Sequence, residues 1–336
     1  LAGEPDFEVL AAGRRADAPL RLDAAAPDFA QRLAQARPDI VIHCAGPFQG
    51  QDYRVARASV AAGAHYIDLA DGRDFVASFP AALHGDAVAA GRLAVSGAST
   101  LPALSSAVVD ELARRYARID EVHVAIAPGQ RAARGAATIA GVLSYCGRPF
   151  KWLSDGKWTE AWGWQELSRL RFAGAGSRWA AACDVPDLEL FPARYPGLRT
   201  MRFRAALEFG AQHFALWLAG GLRRCGVPLA LERWARPLDR LASALAPLGG
   251  EKAGMLVSVS GQRNDGRRTR TAWHLTVEAA KGPEIPCLAA ILLARRVGRG
   301  GPWQPGAFAC MGFLALADFA PEFRRLGIVT AVEEQA

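Results

Sequence analysis

The sequence predicts an α/β chain: a parallel sheet in its first third, then an α+β portion containing an antiparallel sheet. Three observations carry that prediction. Short apolar runs alternate with helical patterns as far as residue 117, which is the rhythm of βαβ units. The run Asp39-Ile40-Val41-Ile42-His43-Cys44 is almost continuously apolar over strand length and breaks at Ala45-Gly46-Pro47, as a strand covered on both faces does. From Asp120 the rhythm changes. Residues 255–261 and 269–279 then alternate on either side of Asn264-Asp265-Gly266, a hairpin signature.

Taken in order, residues 7–12 read as a short strand ending in Gly13-Arg14-Arg15, and residues 20–23 as another. A helix over 27–37 has Pro27 near its first turn. The strand at 39–44 leads to a helix over 51–63, closed by Gly63. Residues 65–69 form a strand ending in Ala70-Asp71-Gly72, 75–91 hold helical segments, and 92–97 are a further strand. Ser99-Thr100-Leu101-Pro102 caps a helix running to about residue 117. Beyond it come a strand at 121–127 and a helix at 131–145 broken by Gly147-Arg148-Pro149. Trp152, Trp158, Trp162 and Trp164 crowd what reads as a loop region. A strand at 199–207, helices through 210–248, the hairpin, a helix at 285–296 and a tail of loops and helix complete the chain.

These patterns divide the chain into a dinucleotide-type unit over 1–118, an α+β unit for substrate and dimer contacts over 119–280, and carboxyl-terminal helices over 281–336 returning toward the first unit. A first strand, a Gly-rich turn and most of a helix should precede Leu1. No G-x-G-x-x-G occurs in the first hundred residues, so the opening βα unit of the fold is expected to be missing.

Composition narrows the function. The 336 residues are half apolar, enough for a sizeable core, and the net charge is +7. Only four of the 40 basic residues are Lys, and the arginines are spread without a dense run. That argues against nucleic acid and fits a bound anionic small molecule. The six cysteines form no CxxC pair and the six histidines stand apart. Reduced core thiols in a cytoplasmic protein are expected, with no metal site. The most hydrophobic segment, 205–231, carries Glu208, Gln212, His213, Arg223 and Arg224. It reads as a buried or interface helix, and no membrane contact is expected from it.

The candidate site residues lie at strand ends, where doubly wound sheets bind ligands. Gly13-Arg14-Arg15 follows the first visible strand, where an acidic residue selects NAD and an arginine accommodates the 2′-phosphate of NADP. Guanidinium suits phosphate as a planar, permanently charged fork, so NADP is the expected cofactor. Asp23 stands where a carboxylate accepts from the adenine amino group, although helix capping accounts for it equally. In Cys44-Ala45-Gly46-Pro47, Gly46 lets a ligand approach the backbone and Pro47 fixes the turn. Asp68, Asp71 and Asp74 cluster at the next strand end, and Asp68 and Asp71 are the candidate acid–base groups. A turn using Asp71-Gly72 explains one of them without chemistry. Gly174-Ala175-Gly176 reads as a flexible loop, and the tryptophans as core. There is no Ser-His-Asp spacing, no Tyr-x-x-x-Lys, no P-loop and no metal-ligand helix.

Three blocks carry a resemblance: Val41-Ile42-His43-Cys44-Ala45-Gly46-Pro47-Phe48-Gln49, Ala61-Ala62-Gly63-Ala64-His65-Tyr66-Ile67-Asp68-Leu69, and Gly97-Ala98-Ser99-Thr100-Leu101-Pro102-Ala103-Leu104-Ser105. Over residues 5–120, and more loosely through the Trp273 strand and Gly282-Pro283-Glu284-Ile285-Pro286, the chain resembles the saccharopine dehydrogenase-like family. The resemblance implies a Rossmann domain, an α/β domain carrying substrate and dimer contacts, and hydride transfer with a nicotinamide. The family's amino-terminal Gly-rich turn, which holds the pyrophosphate, has no counterpart here. The expectation is an NADP-dependent oxidoreductase acting on an imine, secondary amine or related carbonyl, as a homodimer. The alternative is a non-catalytic or membrane-peripheral relative that kept the fold.

Overall fold

The computed structural model describes residues 1–132 and 135–335. Strands β1 (Ala12–Gly13) and β2 (Leu20–Arg21) pair in parallel and lead to helix α1 (Phe29–Ala36). Strand β3 (Ile40–His43), helix α2 (Arg54–Ala61), β4 (His65–Asp68), α3 (Arg73–Ala89) and β5 (Leu93–Ser96) follow. A wide turn at Thr100–Leu104 enters α4 (Ser105–Ala113). Next come β6 (Arg118–Ala127), α5 (Ala136–Tyr145), β7 (Pro149–Ser154), β8 (Lys157–Trp162), β9 (Ser168–Phe172) and β10 (Gly176–Ala182). Helix α6 (Asp187–Arg194), β11 (Thr200–Ala206), α7 (Gly210–Arg224) and α8 (Ala235–Leu245) precede the long hairpin β12 (Lys252–Gln262) and β13 (Arg268–Glu278). Helix α9 (Ile285–Gly298), β14 (Gly306–Ala309), α10 (Ala320–Leu326) and β15 (Val329–Gln335) end the chain.

One sheet has the order β14-β5-β4-β3 and is parallel throughout. The second runs β15-β13-β12-β6-β11-β10-β9, with β7 on β11 and β8 on β7. In it only β6 and β11 pair in parallel. The expected α/β architecture, a Rossmann-type parallel sheet with a second, mainly antiparallel sheet, is what the chain adopts.

The alternation of side chains along the parallel strands explains why both faces are covered. Ile67 of β4 and Leu93 and Val95 of β5 point into a core that continues through Val108 and Leu112 of α4 to Val124, Val257 and Trp273 of the mixed sheet. Leu288 and Leu293 of α9 join the same core. Tyr66 and Ala94 point the other way, against Phe29, Phe75, Phe79 and Leu83. The two sheets thus share one continuous core, which fixes the floor of the space between them.

Several elements differ from the sequence reading. Residues 7–11 are not a strand; Glu4 and Asp6 are drawn to Arg295 and Arg299 of α9 instead. The expected helix at 131–145 crosses residues 133 and 134, which lie outside the described residues; the helix begins at Ala136. The tryptophan-rich region is two hairpins, not loops. Asp155 (φ 50°) and Gly156 (φ 79°) turn β7 into β8. Gly174 (φ 72°) helps turn β9 into β10 and packs on Thr276, so Gly174-Ala175-Gly176 is a built turn. Trp152 and Trp164 are core, whereas Trp158 is exposed. All six cysteines are unpaired, and among the described residues no helix is long and apolar enough to cross a membrane.

Candidate functional site

The segments after the carboxyl ends of β3 and β4 meet the mixed-sheet side across a cleft of about 400 Å³. Its walls include Gln49, Arg73 and Asp74 from the parallel-sheet side, and Tyr145, Arg148 and Asp184 from the other. A wider depression of about 520 Å³ between β2 and α1 holds the exposed Arg32–Asp28 pair and none of these strand-end residues.

At the end of β3, His43 is buried and its Nδ1 lies 2.9 Å from the Tyr66 hydroxyl. Desolvation pushes His43 down to about 4, so the ring is neutral near pH 7. Cys44 follows it, with its thiol pushed up to about 11 by desolvation, helped by Cys287 and Asp68. It is a thiol near neutrality and not an activated nucleophile. The turn Ala45-Gly46-Pro47 is held by Gln51, whose Nε2 donates to the carbonyls of Ala45 (2.8 Å) and Pro47 (2.6 Å). A Cβ on Gly46 would make ordinary van der Waals contact with Phe48 at 3.7 Å, so space alone does not require glycine here.

At the end of β4 the two candidate carboxylates have different surroundings. Asp68 has no exposed surface, and its Oδ1 accepts from the backbone of Gly97 (2.7 Å), the backbone of Ala70 (2.9 Å) and Ser96 Oγ (3.0 Å). Desolvation outweighs those donors and pushes its pKa up to about 6. Asp71 is exposed beside the cleft, next to its wall residue Gly72, and accepts a 3.2 Å hydrogen bond from Gln49 Nε2. The surrounding walls desolvate it and hold its carboxyl above the usual carboxylate range, while the Gln49 bond pulls the other way.

Arg73, the first residue of α3, ties the two sides of the cleft together. Its guanidinium donates to Lys151 O (2.6 Å), Asp184 (3.1 Å) and Glu189 (2.6 Å). Tyr145 ends α5, and burial holds its phenol well above the ordinary range, with Cys183, Asp71 and Asp184 acting in the same direction.

The remaining expected residues lie on the β1–β2 pair. Gly13 ends β1, and Arg14 beyond it is exposed, with no ion-pair partner among the described residues. Arg15 is exposed and paired with Asp17 at 2.8 Å. Asp23 accepts from the backbone of Ala25 at 3.0 Å, the geometry of an Asx turn. The structure therefore brings Cys44, Ala45, Gly46, Pro47, Asp68 and Asp71 to one group of strand ends. Gly13, Arg14, Arg15 and Asp23 belong to a separate two-stranded unit. Gln49, Arg73, Tyr145 and Asp184 join the cleft without having been singled out in the sequence. Only Gln49 carried a signal, as the last residue of the Val41–Gln49 block. Among the described residues no group of His, Cys, Asp or Glu is arranged to hold a metal ion.

No protein-family model and no curated protein matches this sequence. Solved structures do. Apo saccharopine dehydrogenase (L-Glu forming) from Saccharomyces cerevisiae matches with a TM-score of 0.65 at 12% identity, over 94% of this chain and 88% of that one. Amine dehydrogenase from Mycobacterium smegmatis gives a TM-score of 0.45 at 12% identity, over 91% and 81%. DAP dehydrogenase from C. glutamicum gives 0.47 at 15% identity, over 95% and 92%. With its parallel sheet, its mixed sheet and the cleft between them, the chain has the saccharopine dehydrogenase-like, Rossmann-type fold.

Proposed function

We propose that the protein is an NADP-dependent oxidoreductase that exchanges a hydride with an imine, a secondary amine or a related carbonyl compound. One observation carries the reading. Asp71, its carboxyl held above the usual range, is exposed at the rim of a cleft beyond the parallel strands, bonded to Gln49 of the cleft wall, in the region where doubly wound sheets take their ligands. The fold it shares with a structure named as a dehydrogenase supports the same conclusion. Six unpaired cysteines support a reducing, cytoplasmic setting.

The residues present suit the two ends of a nicotinamide dinucleotide. Arg14 offers an exposed, uncompensated guanidinium for a 2′-phosphate, with Gly13, Arg15 and Asp23 beside it in sequence. The Cys44–Pro47 turn is exposed at Cys44, Ala45 and Pro47. When bound, the nicotinamide supplies the hydride chemistry. Among the described residues no G-x-G-x-x-G turn is present for the pyrophosphate, so no residue is assigned to it.

In this reading Asp71 handles the substrate proton. Its raised pKa keeps a larger protonated fraction than an ordinary carboxyl, which suits donation to a nitrogen or oxygen that gains negative charge. Gln49 orients Asp71 through the 3.2 Å bond. Asp68 acts as a positioning residue: by holding the amides of Ala70 and Gly97 it fixes the loop from which Asp71 projects. Tyr145 remains a phenol in the cleft wall and keeps its proton to donate.

Titration calorimetry with NADPH and NADH, followed by NADPH oxidation against a panel of amine–carbonyl pairs, tests the proposal. NADPH binding and turnover of at least one pair is the expected result. If neither cofactor binds, the proposal fails.

A further inference from the structure

We propose that the outward face of α7 docks on an anionic lipid bilayer surface. On a helical projection the exposed arc of α7 holds Phe214, Trp217, Leu218 and Leu222, with Ala211 and Ala215 between them. The four large residues are 39%, 39%, 57% and 44% exposed. Two polar residues of the same helix turn inward. His213 is fully buried and accepts from the backbone of Leu207, and Arg223 donates to the carbonyls of Leu143 and Cys146. An ordinary surface helix has the opposite orientation. Trp179 of β10, also exposed, extends the face, with its ring 5.9 Å from that of Phe214.

The charges of α7 and of the segment that follows it select its occupant. Helix α7 carries no carboxylate, and Arg224 borders the exposed arc, its guanidinium 5.0 Å from the Trp162 ring centre. Arg223 holds Glu232 at 3.0 Å, and from that anchor the chain continues into exposed Arg233, Trp234 (61% exposed), Arg236 and Arg240. With Arg223 and Glu232 paired, residues 210–248 leave Arg224, Arg233, Arg236 and Arg240 against Asp239. A two-fold interface between copies would set the same patch against itself, arginine facing arginine. Anionic headgroups compensate the same charges. No described helix is long enough to span, and a 15-residue helix of about 22 Å lies in the interfacial plane.

Co-sedimentation with vesicles of phosphatidylcholine alone, or mixed with phosphatidylglycerol, tests this, with light scattering run on the same samples. Wild type should sediment with the mixed vesicles and not with phosphatidylcholine alone, and raising the salt should release it. Leu218→Glu alters an exposed side chain and should keep the melting temperature and NADPH binding. It should lower partitioning about tenfold or more, by removing apolar burial from the interface. Arg224→Glu should weaken binding to the mixed vesicles only. Failure of wild type to bind the mixed vesicles would overturn the proposal. So would a wild-type dimer that Leu218→Glu converts to a monomer, because the face would then belong to a second copy.

Discussion

Arg14 and Arg15 stand side by side, yet their replacement should cost NADPH unequally. Arg15 is already engaged: its Nε and Nη2 reach Asp17 at 2.9 and 2.8 Å, with the two side chains 84% and 66% exposed. An exposed pair of this kind is worth at most about 1 kcal/mol, which must be given up before Arg15 turns to a phosphate. Arg14 has no such partner among the described residues. A charge-assisted hydrogen bond contributes roughly 1.5–3 kcal/mol, and solvent exposure favours the lower end. Since about 1.4 kcal/mol is tenfold in affinity, Arg14→Ala should weaken NADPH about tenfold and Arg15→Ala about threefold. NADH, lacking the 2′-phosphate, should be nearly unaffected by either. Calorimetric titration of both cofactors at two salt concentrations measures this, and the NADPH losses should shrink at the higher salt. An unchanged NADPH-to-NADH ratio in both variants would refute the assignment of these arginines and, with it, the reason for choosing NADP.

Asp71→Asn should keep NADPH binding while lowering kcat by about 10²- to 10⁴-fold, and the pH–rate profile should lose its carboxyl limb. Asp187 is wholly buried, with neither carboxyl oxygen hydrogen-bonded among the described residues, and desolvation pushes it from 3.8 up to about 7. The folded state therefore binds this proton more tightly than the unfolded chain, and stability falls as pH rises between those values. Urea denaturation should show wild type losing about 4 kcal/mol between pH 4 and pH 8 that Asp187→Asn keeps. Gly97 sits at φ +79°, and an added Cβ would lie 2.6 Å from Pro102 Cδ and 3.1 Å from Val76 Cγ1. Gly97→Ala should therefore destabilise by about 2–4 kcal/mol in the same assay, from backbone strain and overpacking together.

The elements legible in the sequence are those whose local pattern and tertiary role agree. Strands β3, β4 and β5 are short apolar runs ended by small residues, and the sheet they form is covered on both sides as such runs require. The β12–β13 hairpin was legible from its alternation and its Asn-Asp-Gly turn. The β7–β8 hairpin carried an equally good signal in Asp155-Gly156, but four neighbouring tryptophans and frequent glycines drew attention away from it. Strand β14 was beyond local reading. Gly306-Ala307-Phe308-Ala309 has little strand propensity, and the free edge of β5 supplies what makes it a strand. Strand β15 is similar: the mostly exposed, glutamate-bearing sequence Val329–Gln335 forms an edge because β13 offers a register from Arg270 to Thr276.

The chemistry of the candidate site was the least legible part, for a related reason. Asp71 could be picked out as a carboxylate at a strand end, but what would make it useful as an acid is desolvation, and the opposite wall of the cleft comes from elsewhere in the chain. Tyr145 ends a helix of the mixed-sheet side, and Asp184 precedes α6, more than a hundred residues from Asp71. Arg73 holds these pieces against each other. Its side chain is only 10% exposed and draws on acceptors at residues 151, 184 and 189, so removing it would leave the half-buried Asp184 without its cation. Breaking such a pair costs more than forming it gains, since the remaining charge stays desolvated. The clamp therefore favours the arrangement in which the two sheets approach, and the crowding that follows raises the carboxyl pKa of the exposed Asp71. Acidity at Asp71 and closure at Arg73 are on this account two consequences of one tertiary contact, which no local motif in either segment encodes.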